Sequence, residues 1–178
     1  MKNTSKILLA DLGIVSALTV VLGPRFFKNY QRKTGTANAY MIQNVATKKV
    51  IRPYNAGIKD GNRIIQYTPE NWECTTWQFI RLAEQEFILK NLYTQKSFQS
   101  LAEPQEGIAL FQAPLDATKP QRWEFIRDDV KKKYKIRLKA TDLYITPSSN
   151  GVNAQLILQK ETGSDNQKWT LKAQTPIV

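Results

Sequence analysis

Histidine is absent from this chain of 178 residues, and Cys74 is its only cysteine. Histidine is the commonest general base and a frequent metal ligand, and structural zinc sites are built from cysteine and histidine. A Ser-His or Cys-His triad also needs histidine, and one cysteine cannot form an internal disulfide. The sequence therefore excludes a zinc site and these triads, and we expect a fold held by packing alone, with no metal and no other cofactor.

Acidic residues are also few, with 15 against 26 basic ones and a formal net charge of +11. Several of them, such as Asp60, Glu103 and Asp165, lie in predicted turns. No spacing pairs two carboxylates as a glycosidase requires, so we expect no enzymatic activity. Residues 1–37 contribute six basic residues and one acidic residue. A basic surface attracts anionic partners. The only tight basic cluster, Lys131 to Lys133, lacks the interleaved aromatic residues of a nucleic-acid groove, and we expect no specific nucleic-acid binding.

The longest apolar run covers residues 7–22 and follows Lys2 and Lys6, which is the pattern of an export signal. Asp11 lies inside the run, where a charge is costly in hydrocarbon, and no small-residue cleavage motif precedes Pro24. We interpret the run as an apolar helix that acts as an uncleaved membrane anchor. A cleaved signal peptide and a helix lying on a surface remain as alternatives. Either of the first two makes the protein membrane-anchored or secreted. The four basic residues at 25–33 favour a cytoplasmic C-terminal side for an anchor, but we favour an extracytoplasmic location.

One short motif is repeated along the chain. Gln121-Arg122-Trp123 recurs as Gln167-Lys168-Trp169, and as Thr75-Thr76-Trp77 with threonine in place of the glutamine, so that the tryptophans are 46 residues apart. A fixed period of this length predicts a repeat architecture. Each repeat has three further short apolar runs, which predicts four strands per repeat and about twelve in all.

These patterns divide the chain into three parts. Residues 1–33 form the apolar segment with its basic flank, residues 34–37 a linker, and residues 38–174 the repeats. The repeats run over about 38–82, 83–128 and 129–174. We expect the three repeated tryptophans to be buried together, because large rings fill the centre of a small closed sheet. The glutamine two residues earlier is expected to hydrogen-bond in a turn.

Three four-stranded repeats ending in Gln-x-Trp, the first opening with Tyr40-x-Ile42-x-Asn44, resemble the ricin B-type lectin family. The resemblance covers residues 38–174. It implies an all-β fold, a β-trefoil of three four-stranded repeats, preceded here by the N-terminal apolar helix. It also implies that the partner is a glycan or polysaccharide, although function depends on sites more than on folds.

In this family each repeat can hold one sugar through a carboxylate, an aromatic ring and an asparagine. Matching the repeats places the carboxylate position at Arg52, Gln99 and Thr146, the ring at Tyr67, Phe111 and Gln159, and the asparagine at Cys74, Pro120 and Asn166. The matching takes the loop of residues 113–120 to be two residues longer than its counterparts. No repeat has all three parts. The candidate carbohydrate-binding residues are Asn166, Gln167, Gln159, Asn153, Tyr67, Phe111 and Gln99.

Two functional hypotheses follow. The first is a lectin-like carbohydrate-binding module, exported or tethered to a membrane by its N-terminal segment, and non-catalytic. The second is a β-trefoil that has lost sugar binding and instead binds a protein or an anionic polymer. Single residues also have an alternative interpretation, in which Tyr67 and Phe111 are ordinary aromatic residues of strands instead of sugar-stacking rings. The alternative for Asn166 is a brace of the turn before Trp169.

Overall fold

The computed structural model describes residues 38–128 and 132–176. They form twelve strands: β1 (Ala39–Asn44), β2 (Val50–Pro53), β3 (Ile64–Tyr67), β4 (Thr76–Arg81), β5 (Glu86–Asn91), β6 (Ser97–Ser100), β7 (Leu110–Ala113), β8 (Trp123–Asp128), β9 (Lys133–Leu138), β10 (Leu143–Pro147), β11 (Leu156–Lys160) and β12 (Lys168–Ala173). Three short 3-10 turns are interspersed: Tyr54–Ala56, Glu73–Thr75 and Asp165–Gln167. The predicted all-β class is confirmed. The helix predicted over residues 7–22 lies outside the described residues. Within the described ranges, no helix has the length and apolar character needed to cross a membrane.

Six strands close into a barrel. The first and fourth strands of each repeat pair in the cyclic order β1, β4, β5, β8, β9, β12, and β12 returns to β1. All these pairings are antiparallel. Closure leaves no free edge in this ring, and a free edge is the part of a sheet most prone to unwanted pairing. The barrel is therefore a single structure built equally from all three repeats.

The second and third strands of each repeat form a hairpin, β2–β3, β6–β7 or β10–β11. Each hairpin touches the next through one isolated bridge, Arg63 to Phe111, Ala109 to Ile157, and Gln155 back to Ile65. These three bridges are related by steps of 46 residues. The hairpins thus interlock in a ring around the threefold axis, which completes a β-trefoil.

Buried glutamines reinforce two of these hairpin contacts. Gln66 donates from Nε2 to the carbonyls of Ser149 and Gly151, at 2.8 and 2.9 Å. Gln112 makes the equivalent bonds to Gly57 and Lys59, at 3.0 and 2.8 Å. The third equivalent position is the apolar residue Leu158. These bonds hold two of the three hairpin tips on their neighbours, although Gln112 Oε1 has no partner among the described residues.

The three repeated tryptophans fill the centre, as predicted. Trp77, Trp123 and Trp169 are all fully buried. Their ring nitrogens are not equivalent. Trp77 Nε1 donates to the carbonyl of Ile51 at 2.9 Å and Trp169 Nε1 to that of Ile145 at 3.3 Å, whereas Trp123 Nε1 has no partner among the described residues.

The first strand of repeats 1 and 2 ends in a side-chain-braced turn. Asn44 Oδ1 accepts from the amides of Ala46 and Thr47, at 3.1 and 3.0 Å. Asn91 Oδ1 accepts in the same way from residues 93 and 94, at 3.2 and 3.1 Å. Leu138 holds the third equivalent position. Asparagine is favoured here because its short amide can replace a backbone partner in a turn.

Candidate functional site

The hairpins set the geometry of the three candidate sites. Arg52, Gln99 and Thr146 occupy equivalent positions, and their cross-strand partners are Ile65, Phe111 and Ile157, respectively. Directly paired residues on antiparallel strands have Cβ atoms about 4.5–5.5 Å apart. A polar side chain and its opposite neighbour therefore form the base of each candidate site.

This register corrects one part of the sequence interpretation. The sequence matching places the ring position at Tyr67, Phe111 and Gln159, but the residues equivalent to Phe111 are Ile65 and Ile157. Tyr67 pairs with Val50 and Gln159 with Tyr144, two residues further along their strands. The loop of residues 113–120 is not longer than its counterparts, because Ile64, Leu110 and Leu156 each lie 13 residues before their tryptophan. Only repeat 2 retains an aromatic ring at the position equivalent to Phe111.

Repeat 2 contains the most complete pair. The partly exposed Phe111 lies directly across the hairpin from Gln99. Buried Gln121 donates from Nε2 to Gln99 Oε1 at 2.9 Å and to the Pro114 carbonyl at 2.8 Å, while its Oε1 accepts from the amide of Asp116 at 3.0 Å. Gln121 therefore holds the oxygen of Gln99, and Gln99 Nε2 has no partner among the described residues.

Repeat 3 has Thr146 opposite Ile157, with Asn166 nearby in the 3-10 turn before β12. The Asn166 backbone is bound on both sides, since its amide donates to Ser164 Oγ at 3.2 Å and its carbonyl accepts from Asn44 at 2.7 Å. Its side-chain oxygen is enclosed and has no partner among the described residues. The side chains of Ser164 and Asn44 therefore brace the turn, and the side-chain oxygen of Asn166 takes no part in it.

Gln167, the next residue, has a different environment. It is buried, its Nε2 donates to Thr146 Oγ1 at 3.1 Å and to the Lys160 carbonyl at 2.8 Å, and its Oε1 accepts from both the amide and the hydroxyl of Thr162. These four bonds use its hydrogen-bonding capacity inside the protein. Gln167 therefore holds the hydroxyl of Thr146 from the protein interior.

The other two candidates of repeat 3 lie at opposite ends of β11. Gln159 is in the half of the strand that ends beside Gln167, so it lies on the same side of the repeat as Asn166. Asn153 precedes the strand, and its amide donates to the Gln66 carbonyl of repeat 1 at 2.9 Å. The structure thus groups Gln159 with Asn166 and separates Asn153 from both.

Repeat 1 has an arginine where the family has a carboxylate. The guanidinium carbon of Arg52 lies 4.4 Å from the centre of the Tyr67 ring and 6.0 Å from that of Trp72. The two rings are themselves 6.5 Å apart. Arg52 Nε donates to the Pro53 carbonyl at 3.0 Å. One face of Tyr67 is therefore taken by a cation, a contact that the sequence did not reveal.

Cys74 lies in the same region and occupies the asparagine position of repeat 1. Burial raises the pKa of its thiol, and the positive charge of Arg52 opposes that rise. A raised pKa keeps the sulfur as a neutral thiol, which is a poor nucleophile. In the part of the chain that the structure describes, no cluster of three histidine, cysteine or acidic residues could hold a metal ion.

A cluster of charged residues outside these sites stabilises the barrel. Glu86 is buried and is hydrogen-bonded to Arg122, with Lys139 Nζ 3.5 Å away. Lys139 also contacts Glu124 at 2.7 Å, and Glu124 contacts Arg137 at 2.8 Å. The hydrogen bond from Arg122 lowers the pKa of Glu86, although burial opposes this. The carboxylates of Glu86 and Glu124 therefore form ion pairs that link neighbouring segments of the barrel.

Comparisons with known proteins support the fold. No family model matches the chain. In sequence it is similar to pierisin from Pieris brassicae, at 31% identity over 94 residues that make up 51% of this chain and 11% of pierisin. The match thus spans about a tenth of that relative's length.

Solved structures give longer matches. The designed threefold-symmetric protein ThreeFoil superposes with a TM-score of 0.71 at 21% identity, over 75% of this chain and 97% of that one. The ricin B-like lectin of Macrolepiota procera, solved in complex with lactose, superposes with a TM-score of 0.64 at 19% identity, over 75% and 94% of the two chains. The resemblance predicted from the repeats is confirmed: the chain has the β-trefoil fold of ricin B-like lectins.

Proposed function

We propose that this protein is a carbohydrate-binding module of the lectin type that performs no catalysis, and that repeats 2 and 3 contact the glycan. The observation that carries the proposal is the Gln99–Phe111 pair. A pyranose has an apolar face that covers an aromatic ring and hydroxyl groups that need polar partners. Here a partly exposed ring lies opposite an amide whose Nε2 has no partner among the described residues. Binding sites of this kind combine apolar contact with a few placed polar groups.

The Asn166 amide supports a second contact in repeat 3. Asn166 is partly exposed and its side-chain nitrogen, unlike its oxygen, is not enclosed, so that this nitrogen can donate to a sugar hydroxyl. Thr146, held by Gln167, and Gln159 are further polar residues of this repeat that are near Asn166. Because Ile157 replaces the ring, we expect repeat 3 to bind more weakly than repeat 2.

The location of the protein is a separate proposal, supported only by the sequence of residues 1–33. We propose that this segment exports the protein or tethers it to a membrane. Cell fractionation of the full-length chain provides the test. Recovery in the membrane fraction, or in the medium at reduced mass, supports the proposal, and recovery at full mass in the soluble cytoplasmic fraction contradicts it.

A glycan array probed with the full-length protein at low and high salt tests the carbohydrate-binding function. We expect binding of neutral glycans that survives high salt, because stacking and hydrogen bonds to neutral groups are not screened. Phe111→Ala should abolish most of this binding, and Asn166→Ala should weaken it while leaving Tm nearly unchanged. Asn150→Ala, which removes an exposed amide from a hairpin loop, is the matched control.

Two results would contradict the proposal. Binding restricted to anionic polymers and lost at high salt would favour the anionic-polymer hypothesis. A lower Tm for Asn166→Ala with glycan binding intact would make Asn166 a turn residue and remove repeat 3 from the site.

A further inference from the structure

Arg52 has an unusual environment for an arginine. It is only 7% exposed, and it forms no ion pair with any acidic residue in the ranges 38–128 and 132–176. Burying a charge without an opposite charge is costly. The stack on Tyr67 and Trp72 offsets part of that cost, since cation–π contacts stabilise a desolvated guanidinium.

Most N–H groups of Arg52 have no protein partner among the described residues, and none of its nitrogens is enclosed and unpaired. A guanidinium has five N–H donors, and the structure assigns one of them, on Nε, to the Pro53 carbonyl. Glu73 follows Trp72 directly in the sequence but makes no ion pair with Arg52. The two terminal nitrogens therefore remain without a protein partner in the described part of the chain. Their planar fork matches the spacing of two oxygens on one carboxylate or sulfate group.

The position of Arg52 in its repeat indicates what the guanidinium could bind. Arg52 is equivalent to Gln99 and Thr146, the residues at the base of the other two candidate sites. A carboxylate at this position would accept hydrogen bonds from sugar hydroxyls, whereas an arginine donates them and attracts negative charge. The rings of Tyr67 and Trp72 hold the guanidinium in place, which limits the entropy lost when a ligand binds.

We propose that repeat 1 is an acidic-saccharide site, in which Arg52 binds the carboxylate or sulfate group of a sugar and Trp72, which is half-buried, borders the sugar ring. The inference rests on the proposed function in one respect, that the anion is carried by a saccharide. It adds a ligand class, acidic sugars, and a third site with chemistry different from that of repeats 2 and 3.

Matched pairs of saccharides test the site in the full-length chain. Calorimetry compares galactan with polygalacturonate, and dextran with dextran sulfate, at physiological salt. We expect the acidic member of at least one pair to bind more tightly. Arg52→Gln should weaken acidic binding roughly 10- to 100-fold, which corresponds to losing a hydrogen-bonded charge. It should leave neutral binding through Phe111 unchanged.

Arg63→Gln is the matched control. Arg63 is also stacked on a tyrosine, with its guanidinium carbon 4.3 Å from the centre of the Tyr54 ring, but it is exposed and makes no ring contact with Tyr67 or Trp72. Because its backbone bridges to Phe111, this control is read on acidic binding alone. Both variants remove one positive charge. An equal loss of acidic binding in both variants would show a general effect of net charge and would overturn the proposal. Arg52→Lys, which keeps the charge but loses the planar fork, should also lose most of the acidic preference.

Trp72 fluorescence tests the site without altering the fold. The other three tryptophans are fully buried, so quenching by acrylamide reports mainly on Trp72. Polygalacturonate or dextran sulfate should protect the wild-type protein from quenching, and Trp72→Phe should remove the protected signal. Saturating acidic saccharide that leaves quenching unchanged would overturn the proposal.

The outcomes separate this inference from the proposed function. Neutral binding that depends on Phe111, with no preference for the acidic partners, would leave the function standing and remove the repeat 1 site. Poly-glutamate and inorganic sulfate extend the comparison. If they compete at Arg52 as strongly as the acidic saccharides do, the saccharide assignment of this site is wrong. No binding of any saccharide would contradict both proposals.

Discussion

Gln121 and Gln99 share a hydrogen bond of 2.9 Å that joins the Gln-x-Trp motif of repeat 2 to its candidate site. Gln167 makes the corresponding bond to Thr146 at 3.1 Å. In repeat 1 the motif has Thr75, whose hydroxyl bonds to backbone carbonyls of residues 70 and 72 instead. The glutamine of the motif thus orients the polar residue of its own site, and Arg52 is oriented by aromatic rings.

Gln121→Leu should therefore affect stability and binding together. The substitution leaves the Asp116 amide, Gln99 Oε1 and the Pro114 carbonyl without their shared partner. An unpaired group costs about 1–3 kcal/mol where it is shielded from water. We expect a lower free energy of unfolding in urea and weaker neutral-glycan binding. Gln99→Ala provides the comparison and should weaken binding with a much smaller loss of stability. Unchanged binding by a folded Gln121→Leu variant would contradict this role.

The register of β11 predicts where a ring restores the repeat 3 site. Ile157 is equivalent to Phe111, so Ile157→Trp combined with Thr146→Asp places a ring opposite a carboxylate with Asn166 already present. We expect this variant to bind neutral glycans more tightly than the wild type by calorimetry. Gln159→Trp combined with Thr146→Asp is the control, since residue 159 lies two positions further along the strand. Equal gains in both variants would contradict the register.

The fold could be predicted because it depends on what the repeats share. The 46-residue spacing of Trp77, Trp123 and Trp169 reflects one structural unit used three times, and buried rings tolerate little variation. The sequence matching misplaces the ring position, although the 46-residue period leads from Phe111 to Ile65 and Ile157, because neither isoleucine carries a ring and Tyr67 offers one two residues away. The hairpin pairings and the bridges between hairpins establish the register.

The environment of Arg52 could not be predicted from the sequence either. Its contact with Trp72 joins β2 to a loop 20 residues later, and no local pattern links them. The sequence identified Arg52 only as a position without a carboxylate. The stacking partners, and the lack of an ion pair in the described residues, come from the tertiary structure.

The three central tryptophans should respond differently to replacement by phenylalanine. Each loses similar ring volume, but Trp77→Phe also removes the hydrogen bond to Ile51, whereas Trp123→Phe removes a donor without a partner in the described structure. We expect Trp77→Phe to be the more destabilising by about 1 kcal/mol, the net value of one hydrogen bond. Urea denaturation of the two variants measures the difference. Equal losses would indicate that Trp123 Nε1 has a partner after all.

The ion pair of Glu86 predicts a dependence of stability on pH. The pKa of Glu86 is lower in the folded protein than its ordinary value of 4.5. Its contribution is therefore complete above about pH 4.5 and is lost as the pH falls through the folded pKa. Glu86→Gln should lower Tm by a few degrees at pH 7, and the difference from the wild type should shrink in strongly acidic buffer. Asp60→Asn, which removes an exposed pair with Lys96, should change Tm little, because exposed pairs stabilise weakly. A Glu86→Gln difference that does not change with pH would contradict the assignment.

The pairing of β1 with β12 brings the two ends of the β-trefoil together, with Tyr40 opposite Ala173 and Asn44 opposite Trp169. The strands are antiparallel, so a pulling force applied between the two ends meets the Tyr40–Ala173 rung first and the rungs toward Trp169 afterwards. The hydrogen bonds between the two strands therefore break one after another, and they do not all resist the force at once. Under tension between a tether at one end and a load at the other, this domain would yield first at the seam where its chain closes.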